Sequence, residues 1–474
     1  MKKLIVSLLC SVCVLISYSA AIDEARQLVK EGDFWAARKL LESAVAANPK
    51  LTASAEYCYL LGACEFDAEH YDEAKTLLEK ARAKGYGPAN LYLGRLAFMN
   101  YDFDRAAEFY DNFKRYREKS GQVAGETVEE LERQLSIAEN AMSRVEKIVI
   151  IDSISLPTDN FFKHYKLSSS AGRLVGPEEI PFEEHRNGAE MAFVSEDGDY
   201  MMWGEPDSIG NVHLVDAIRL TNGDWHDVAP VDDNLSNGRF ADFPFMMSDG
   251  VTLYYASNGD GSMGGYDIFV ASRDPAAGAY LQPQNIGMPF NSPYNDYMMA
   301  IDEENGVGWW ATDRNRLEGK VTIYVYMVND LRKNYDPDDD YIIDMARISD
   351  FRKTQNPSDE QIYQETLDII SELGKEGENK RVDFKFPIGQ GEFYYTMTDF
   401  KNRTAFDAMN AYLKASNALS NDERKLTELR RRYPLNRADN VKDEILKLEK
   451  TLETKRTELT KLKSEVYRSL KGGK

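Results

Sequence analysis

Asp260-Gly261-Ser262-Met263-Gly264 comes near the Gly-x-Ser-x-Gly turn that presents a serine nucleophile, but Asp stands at its first glycine. No stretch of α/β-hydrolase length follows, so a plain loop is expected. The five histidines, His70, His164, His185, His213 and His226, show no His-Glu-x-x-His or paired spacing. Although His213 and His226 could line one sheet, surface or core histidines are expected rather than zinc ligands. Asp336, Asp338 and Asp340 alternate, as do Asn258, Asp260 and Ser262, and hard oxygens at such spacing can hold calcium. The three aspartates are weak calcium candidates, because neither run has the Gly and distal Glu of an EF-hand loop. Asp-Pro and Asn-Gly also form ordinary turns. Cys58 and Cys64, six apart on an expected helix, point about 120° apart, which disfavours a mutual disulfide and leaves buried thiols. Trp203, Trp225, Trp309 and Trp310 could stack on sugars, with acidic residues as acid and base, yet aromatic strand positions mostly pack between sheets. With no catalytic set, metal site or cofactor motif in view, a non-enzyme is expected.

The elements that carry these residues fall into three units. Residues 22–148 read as about three helical repeats with a capping helix. Gly32-Asp33-Phe34 is followed by Ala37, Leu41, Ala44 and Pro49; Tyr71, Ala74, Leu78 and Ala81 follow 37 residues on, then Phe103, Ala106, Tyr110 and Phe113 after a further 32. Leu61-Gly62 and Leu93-Gly94, also 32 apart, precede the second and third sets. Gly and Ala let paired helices approach, and an aromatic ring fills the remaining gap. The pattern resembles the tetratricopeptide repeat, whose period is about 34 residues, and Thr127 to Ile148 reads as the cap. That resemblance implies a surface for peptides or partner helices.

Residues 149–400 change period. Phe193 to Gly198 leads into Tyr200-Met201-Met202-Trp203-Gly204; Phe245 to Gly250 leads into Leu253 to Asn258; Met299 to Gly306 leads into Val307 to Asp313. Each is strand, acidic-Gly turn, strand, then a polar loop and a third strand, at a period of about 52–55 residues, which suits a four-stranded propeller blade with long loops. The most specific run is Ala256-Ser257-Asn258 followed by Gly264-Gly265-Tyr266-Asp267-Ile268-Phe269. It resembles the WD40-like (PD40) repeat of the TolB-type propeller, whose signature is Ser-Asn, a Gly-rich turn and Tyr-Asp-Ile-Tyr. Gly264 and Gly265 are expected to supply the positive φ of the turn, and Asp267 to tie down the loop. Thr312-Asp313 and Gly204-Glu205 depart from the signature, so the number of blades stays open. The runs Arg381 to Pro387 and Gly391 to Thr398 are candidates to complete the ring after a helical insertion near residues 357–373.

Residues 401–474 read as a helical hairpin. Met409, Tyr412, Leu419, Leu426 and Tyr433 lie near one stripe, and Pro434-Leu435-Asn436 breaks it. From Asp439, Ile445, Leu448, Leu452, Leu459, Leu462 and Val466 form a coiled-coil seam with Lys455 in its gap. An intrachain hairpin is favoured over pairing with a second protein. The expected fold class is therefore multidomain α + β: an N-terminal α-solenoid, a central β-propeller and a C-terminal helical hairpin or coiled coil.

Composition narrows the partners. The 474 residues carry 58 basic and 79 acidic side chains, a formal charge of -21, which disfavours nucleic acid. Asp422 to Lys474 holds 16 basic against 10 acidic residues, read as a solvated helical surface. Lys2 and Lys3, the apolar run Leu4 to Ile16 and Ser19-Ala20-Ala21 make residues 1–21 an export signal too short to span a bilayer. Cys10 and Cys13 lie in that run without a lipoprotein context. No later stretch is long and apolar enough for a transmembrane helix.

Repeats, TolB-like propeller and coiled-coil end together look like a cell-envelope family of Bacteroidota, similar to the periplasmic repeat-and-propeller component of the type IX secretion system. Ile150-Ile151-Asp152-Ser153 before Asn160-Phe161-Phe162, and Asn334 to Asp340, also look familial. The family's OmpA-like peptidoglycan-binding domain has no counterpart in residues 401–474, so anchoring by that route is not expected. The function expected is a non-catalytic exported scaffold that binds envelope or secretion proteins in the periplasm, with outer-membrane association and coiled-coil pairing left open. A glycan-binding or glycan-active propeller is the alternative.

Overall fold

The computed structural model describes residues 20–121, 125–220, 223–226, 228–235, 240–274, 278–376, 386–388, 393–394, 396–436 and 439–471. The expected export run Leu4 to Ile16, with Cys10 and Cys13, lies outside the described residues. The chain divides into two compact units, Met1–Ala141 and Met142–Lys474.

Among the described residues the first unit is built of helices: α1 (20–31), α2 (Phe34–Ala47), α3 (Ala55–Asp67), α4 (Tyr71–Ala83), α5 (Ala89–Met99), α6 (Phe103–Lys119) and α7 (Gly125–Met142). Starts are written in the sequence. Asp33 Oδ1 accepts from Ala36 N at 2.9 Å, Ser54 Oγ from Tyr57 N at 3.4 Å and Asp102 Oδ1 from Arg105 N at 3.3 Å, each satisfying an otherwise orphan amide. Consecutive helices pack from α2 through α6, and their contact line is built from small residues: Ala25, Ala37, Ala63, Ala74, Ala81 and Ala89 are fully buried with Leu41, Leu60 and Leu78. The cap is shorter than the sequence implies. α7 stops at Met142, and Lys147 N instead donates to Lys333 O at 2.7 Å, because the β-branched run from Ile148 is drawn into a strand.

The second unit is rich in antiparallel sheet and ends in helices. Sheet I joins β2 (Arg173–Val175), β3 (Ala192–Val194), β4 (Tyr200–Pro206), β5 (Val212–Ile218) and β6 (Ala229–Pro230) in chain order. Sheet II joins β7 (Ala241–Met246), β8 (Thr252–Ser257), β9 (Asp267–Ser272) and β10 (Gln284–Asn285). Sheet III joins β11 (Asp296–Asp302), β12 (Val307–Thr312) and β13 (Lys320–Met327), and its fourth strand is β1 (Val149–Pro157), the first of the unit. The three hairpins expected from the acidic-Gly turns all form, with Gly198, Gly250 and Gly306 at φ +71°, +66° and +62°. β7 packs on β3, β4 and β5 of sheet I and on β11 of sheet III, and one core runs through all three sheets, including Phe193, Met202, Phe245, Tyr255, Met299 and Trp310.

After sheet III come α8 (Ile342–Arg347) and α9 (Glu360–Glu376); α9 lays Tyr363, Leu367 and Ile370 on that core. Two short strands follow, β14 (Phe386–Pro387) and β15 (Phe393–Tyr394). Among the described residues they pair with each other and not with the three larger sheets; residues 381–385, 391, 392 and 395 of the runs expected to complete a ring lie outside the described residues. Phe386 instead stacks near Phe400, Tyr412 and Tyr467, in a core shared with Ala405, Met409 and Val466. Phe386 and Tyr394 pack against the base of the final hairpin, α10 (Arg403–Asn436) and α11 (Asp439–Lys471). α10 continues through Pro434 to Asn436, where the sequence predicted a break. Leu419, Leu426 and Leu452 form the mid-hairpin core with Ile445, Leu448 and Leu459.

Candidate functional site

In the helical unit the repeat residues do structural work. A Cβ on Gly62 would press on Leu78, and one on Gly94 would collide with the Tyr110 ring, so both glycines permit helix approach. Gly32 ends the turn between α1 and α2 at φ +82°. Ala37, Ala74, Ala81 and Ala106 are fully buried, Ala44 and Phe103 nearly so, and Phe34 and Tyr71 half-buried. Pro49 opens the short 3-10 turn after α2. Cys58 and Cys64 are free, buried thiols; burial first, then Glu65 and Asp67, pushes Cys64 up to about 12, which suppresses thiolate chemistry.

Beside this frame lies a patch that sequence spacing did not single out. The Tyr59 ring is 5.1 Å from Tyr86 and 6.0 Å from Tyr92, and the Arg95 guanidinium lies 5.6 Å over Tyr92. Tyr116, partly exposed, rests where a Gly87 side chain would stand. Arg26 Nε donates to Glu56 Oε1 at 2.6 Å, and the Tyr86 hydroxyl donates to the same oxygen at 3.4 Å, linking α1, α3 and the turn before α5. Burial, reinforced by Tyr92 and Tyr86 and opposed by Arg95, holds the Tyr59 hydroxyl well above its ordinary value, so it stays a neutral donor. Tyr92 is buried while Tyr59, Tyr86 and Arg95 are partly exposed, and aromatic bodies with polar tips suit protein recognition. The sequence signal was present but aperiodic: Tyr59 is three residues before Gly62, and Arg95 directly follows Gly94, off the face the glycines mark.

In the second unit the signature residues form a closed polar lock. Asp267 is fully buried and accepts from Asn285 Nδ2 at 2.6 Å, Met263 N at 3.1 Å and Ser262 Oγ at 3.3 Å. The single Ser262 O–H is shared between Asp267 and the nearer Gly265 O at 2.6 Å, so the would-be nucleophile is buried and committed to loop geometry. Ser257 Oγ accepts from Gly259 N, and Asn258 Oδ1 from Phe240 N at 3.2 Å. Gly264 and Gly265 do not have the expected positive φ; that belongs to Gly261, at +99°. They are needed for close approach, since side chains would strike the Pro293 backbone and Asn295, whose Oδ1 accepts from Tyr266 N.

Other sequence candidates do not converge. Asp336, Asp338 and Asp340 are exposed, Asp336 Oδ1 accepts from Asp338 N at 3.1 Å as an ordinary turn former, and no metal-binding cluster occurs among the described residues. Trp203, Trp309 and Trp310 are buried in the sheet cores, and Trp225 packs against a side cluster with Trp203 and Phe182, which removes the sugar-stacking platform. His213 is hydrogen-bonded to Asp207 at 3.2 Å and His185 to Glu205 at 2.7 Å, each a local pair. No helix among the described residues is long and apolar enough to cross a membrane.

A tetratricopeptide-repeat family model matches residues 28–89, within the α1–α5 region. No curated protein and no solved structure matches the chain. Such repeats indicate a protein-interaction scaffold, and the Tyr59–Tyr86–Tyr92–Arg95 patch lies on the helices they build.

Proposed function

We propose that this protein is a non-catalytic scaffold of the bacterial cell envelope, exported by its N-terminal apolar segment, whose repeats grip a protein partner in the periplasm. The aromatic patch capped by Arg95 is the observation that carries this reading: it is partly exposed, chemically mixed and mounted on the repeat helices. Sheets I to III, each begun by a similar strand–turn–strand run, are read as successive blades of a TolB-like propeller, with β1 closing the last blade as its outer strand. The sequence resemblance of residues 256–269 to a TolB-type repeat, next to the helical repeats, is the ground for placing the protein in secretion or outer-membrane assembly.

Crosslinking in intact cells of the native host, with the wild-type chain and a Tyr86→Ala/Arg95→Glu variant compared, tests this. An envelope protein captured by the first and lost from the second supports the scaffold; fractionation to the cytoplasm, or identical capture by both, refutes it.

A further inference from the structure

Where sheets I and II meet, three unmatched polar tips gather among aromatic rings. Asp242 lies near the start of β7, which packs on β3 and β4; Glu190 stands just before β3 and Tyr266 just before β9. The Asp242 carboxyl is 3% exposed. Its Oδ1 accepts from Phe243 N at 2.7 Å, while Oδ2 takes no hydrogen bond from any described residue. Gly204 leaves room for it, since a side chain there would strike Oδ1. The register of β7 against β8 shifts between Asp242 and Phe245, and Phe243 is held at φ +53°. A bulge of this kind re-aims a side chain, and left-handed backbone at an aromatic residue is costly.

Tyr266 is half-buried and fixed. Its amide donates to Asn295 Oδ1 at 3.0 Å, and its ring lies 6.3 Å from Phe240, 6.3 Å from Phe243 and 6.0 Å from Tyr297. Neither its hydroxyl nor the exposed Glu190 carboxylate is hydrogen-bonded to a described residue. The three tips feel one another. After burial, Asp242 and then Glu190 push the Tyr266 hydroxyl up to about 12, and Glu190 adds to burial in raising Asp242. No cation among the described residues acts on either group. A carboxylate shut away from water without a cation is costly, and a cation brought from outside relieves that cost.

The acceptors left over define what fits. They are Asp242 Oδ2, the Glu190 carboxylate and a lone pair on the Tyr266 oxygen, each near the start of a different strand. A planar guanidinium grips both oxygens of one carboxylate, but Asp242 has only one to give. An ammonium spreads three donors in three directions, and its alkyl stem can lie along the half-buried Tyr266 and Phe240 rings.

We propose that Glu190, Asp242 and Tyr266 receive one lysine side chain of a partner protein, its ammonium between the two carboxylates and its stem on the rings. The site is built within the sheet-rich unit and owes nothing to the repeats, so it stands or falls separately from the patch around Arg95.

The test uses the full chain at pH 8 and the peptide Gly-Ser-Lys-Ser-Gly, labelled with a fluorophore at its N-terminus, amidated at its C-terminus and read by anisotropy. Two further versions carry acetyl-lysine or Arg at the centre. The Lys peptide should bind about tenfold or more tighter than the acetyl-lysine peptide, with Arg between them. Asp242→Asn/Glu190→Gln should bring the Lys peptide to the acetyl-lysine level. Glu190 is exposed, so Glu190→Gln alone leaves the fold intact and should still weaken the Lys peptide by about threefold or more. Tyr266→Phe, which removes one acceptor and keeps the ring, should weaken it partially with Lys still preferred. Glu453→Gln/Glu458→Gln, which removes two charges from α11, should change nothing. Equal binding of the Lys and acetyl-lysine peptides overturns the proposal, as does tighter binding of the Arg peptide. An equal loss in the α11 variant would mean diffuse charge attraction and overturn it as well. Displacement of the Lys peptide by calcium chloride but not by choline chloride of the same ionic strength would reassign the site to a metal ion, and overturn it too.

Discussion

Arg314 and Asp296 meet at 2.6 Å with both side chains sealed from solvent. Arg314 also donates to Pro289 O at 2.7 Å, Phe290 O at 2.5 Å and Thr312 Oγ1 at 3.1 Å, while Asp296 accepts from Ser292 Oγ at 2.7 Å. One guanidinium thus fastens the loop after β10 to the start of β11 and the end of β12. A buried pair of this kind adds little net stability over an apolar pair, but removing one member strands the other charge. Arg314→Met should therefore lower unfolding free energy by about 3–5 kcal/mol, and Arg314→Met with Asp296→Asn should restore much of it. Urea unfolding of wild type, both single variants and the double measures the coupling; additive losses would deny it.

Asp242 gives the protein a pH dependence. Its carboxyl is buried, accepts from Phe243 N at 2.7 Å, and sits where a Gly204 side chain would otherwise stand. Burial, aided by Glu190 and opposed by the Phe243 amide, pushes it up to about 7. The unfolded value is near 3.9, so the native state holds the extra proton between these limits. Its contribution is complete below about pH 4 and is lost as pH rises through about 7. Asp242→Asn should match wild type at pH 4 and exceed it at pH 8, by up to about 4 kcal/mol. Urea midpoints at the two pH values check this, and a constant difference between the proteins would remove Asp242 as the cause.

Gly94 faces the Tyr110 ring with no room for a side chain. Gly94→Ala should cost about 1–3 kcal/mol through overpacking, and Tyr110→Leu in the same chain should relieve part of it. Thermal unfolding followed by the helical circular-dichroism signal reads both. A neutral Gly94→Ala would show that α5 and α6 can separate without penalty.

Lys455 interrupts the apolar seam of the final hairpin, and its Nζ lies 2.6 Å from Asp422 Oδ2 on the facing helix. The pair is partly exposed, so Lys455→Leu should change stability by no more than about 1 kcal/mol. Because Leu419, Leu426 and Leu452 already bury against one another within the chain, light scattering should give the mass of one chain for wild type and variant alike. A dimeric wild type would instead mean that the seam is shared between chains.

The sequence carried the periodic features openly. Small residues at the helix contact line, acidic-Gly turns between apolar strands and the heptad-like leucines each act on neighbours a few residues away, so spacing alone reveals them. Close approach between distant segments was not legible in the same way. Gly264 and Gly265 looked like turn glycines because nothing local announces that Pro293 and Asn295 will arrive against them.

What the sequence by itself determined, then, is the order of the helical repeats, the antiparallel hairpins and the closing helical hairpin, because those follow from local periodicity and caps. Only the tertiary structure decided that β1 would complete sheet III some 160 residues away from β13, that Phe386 would join the base of the helical hairpin, and that Tyr59, Tyr86 and Arg95 would form one patch. Those meetings depend on packing between segments far apart in the chain, where burial of apolar area and the closing of polar groups choose the partner, and no short spacing encodes that choice.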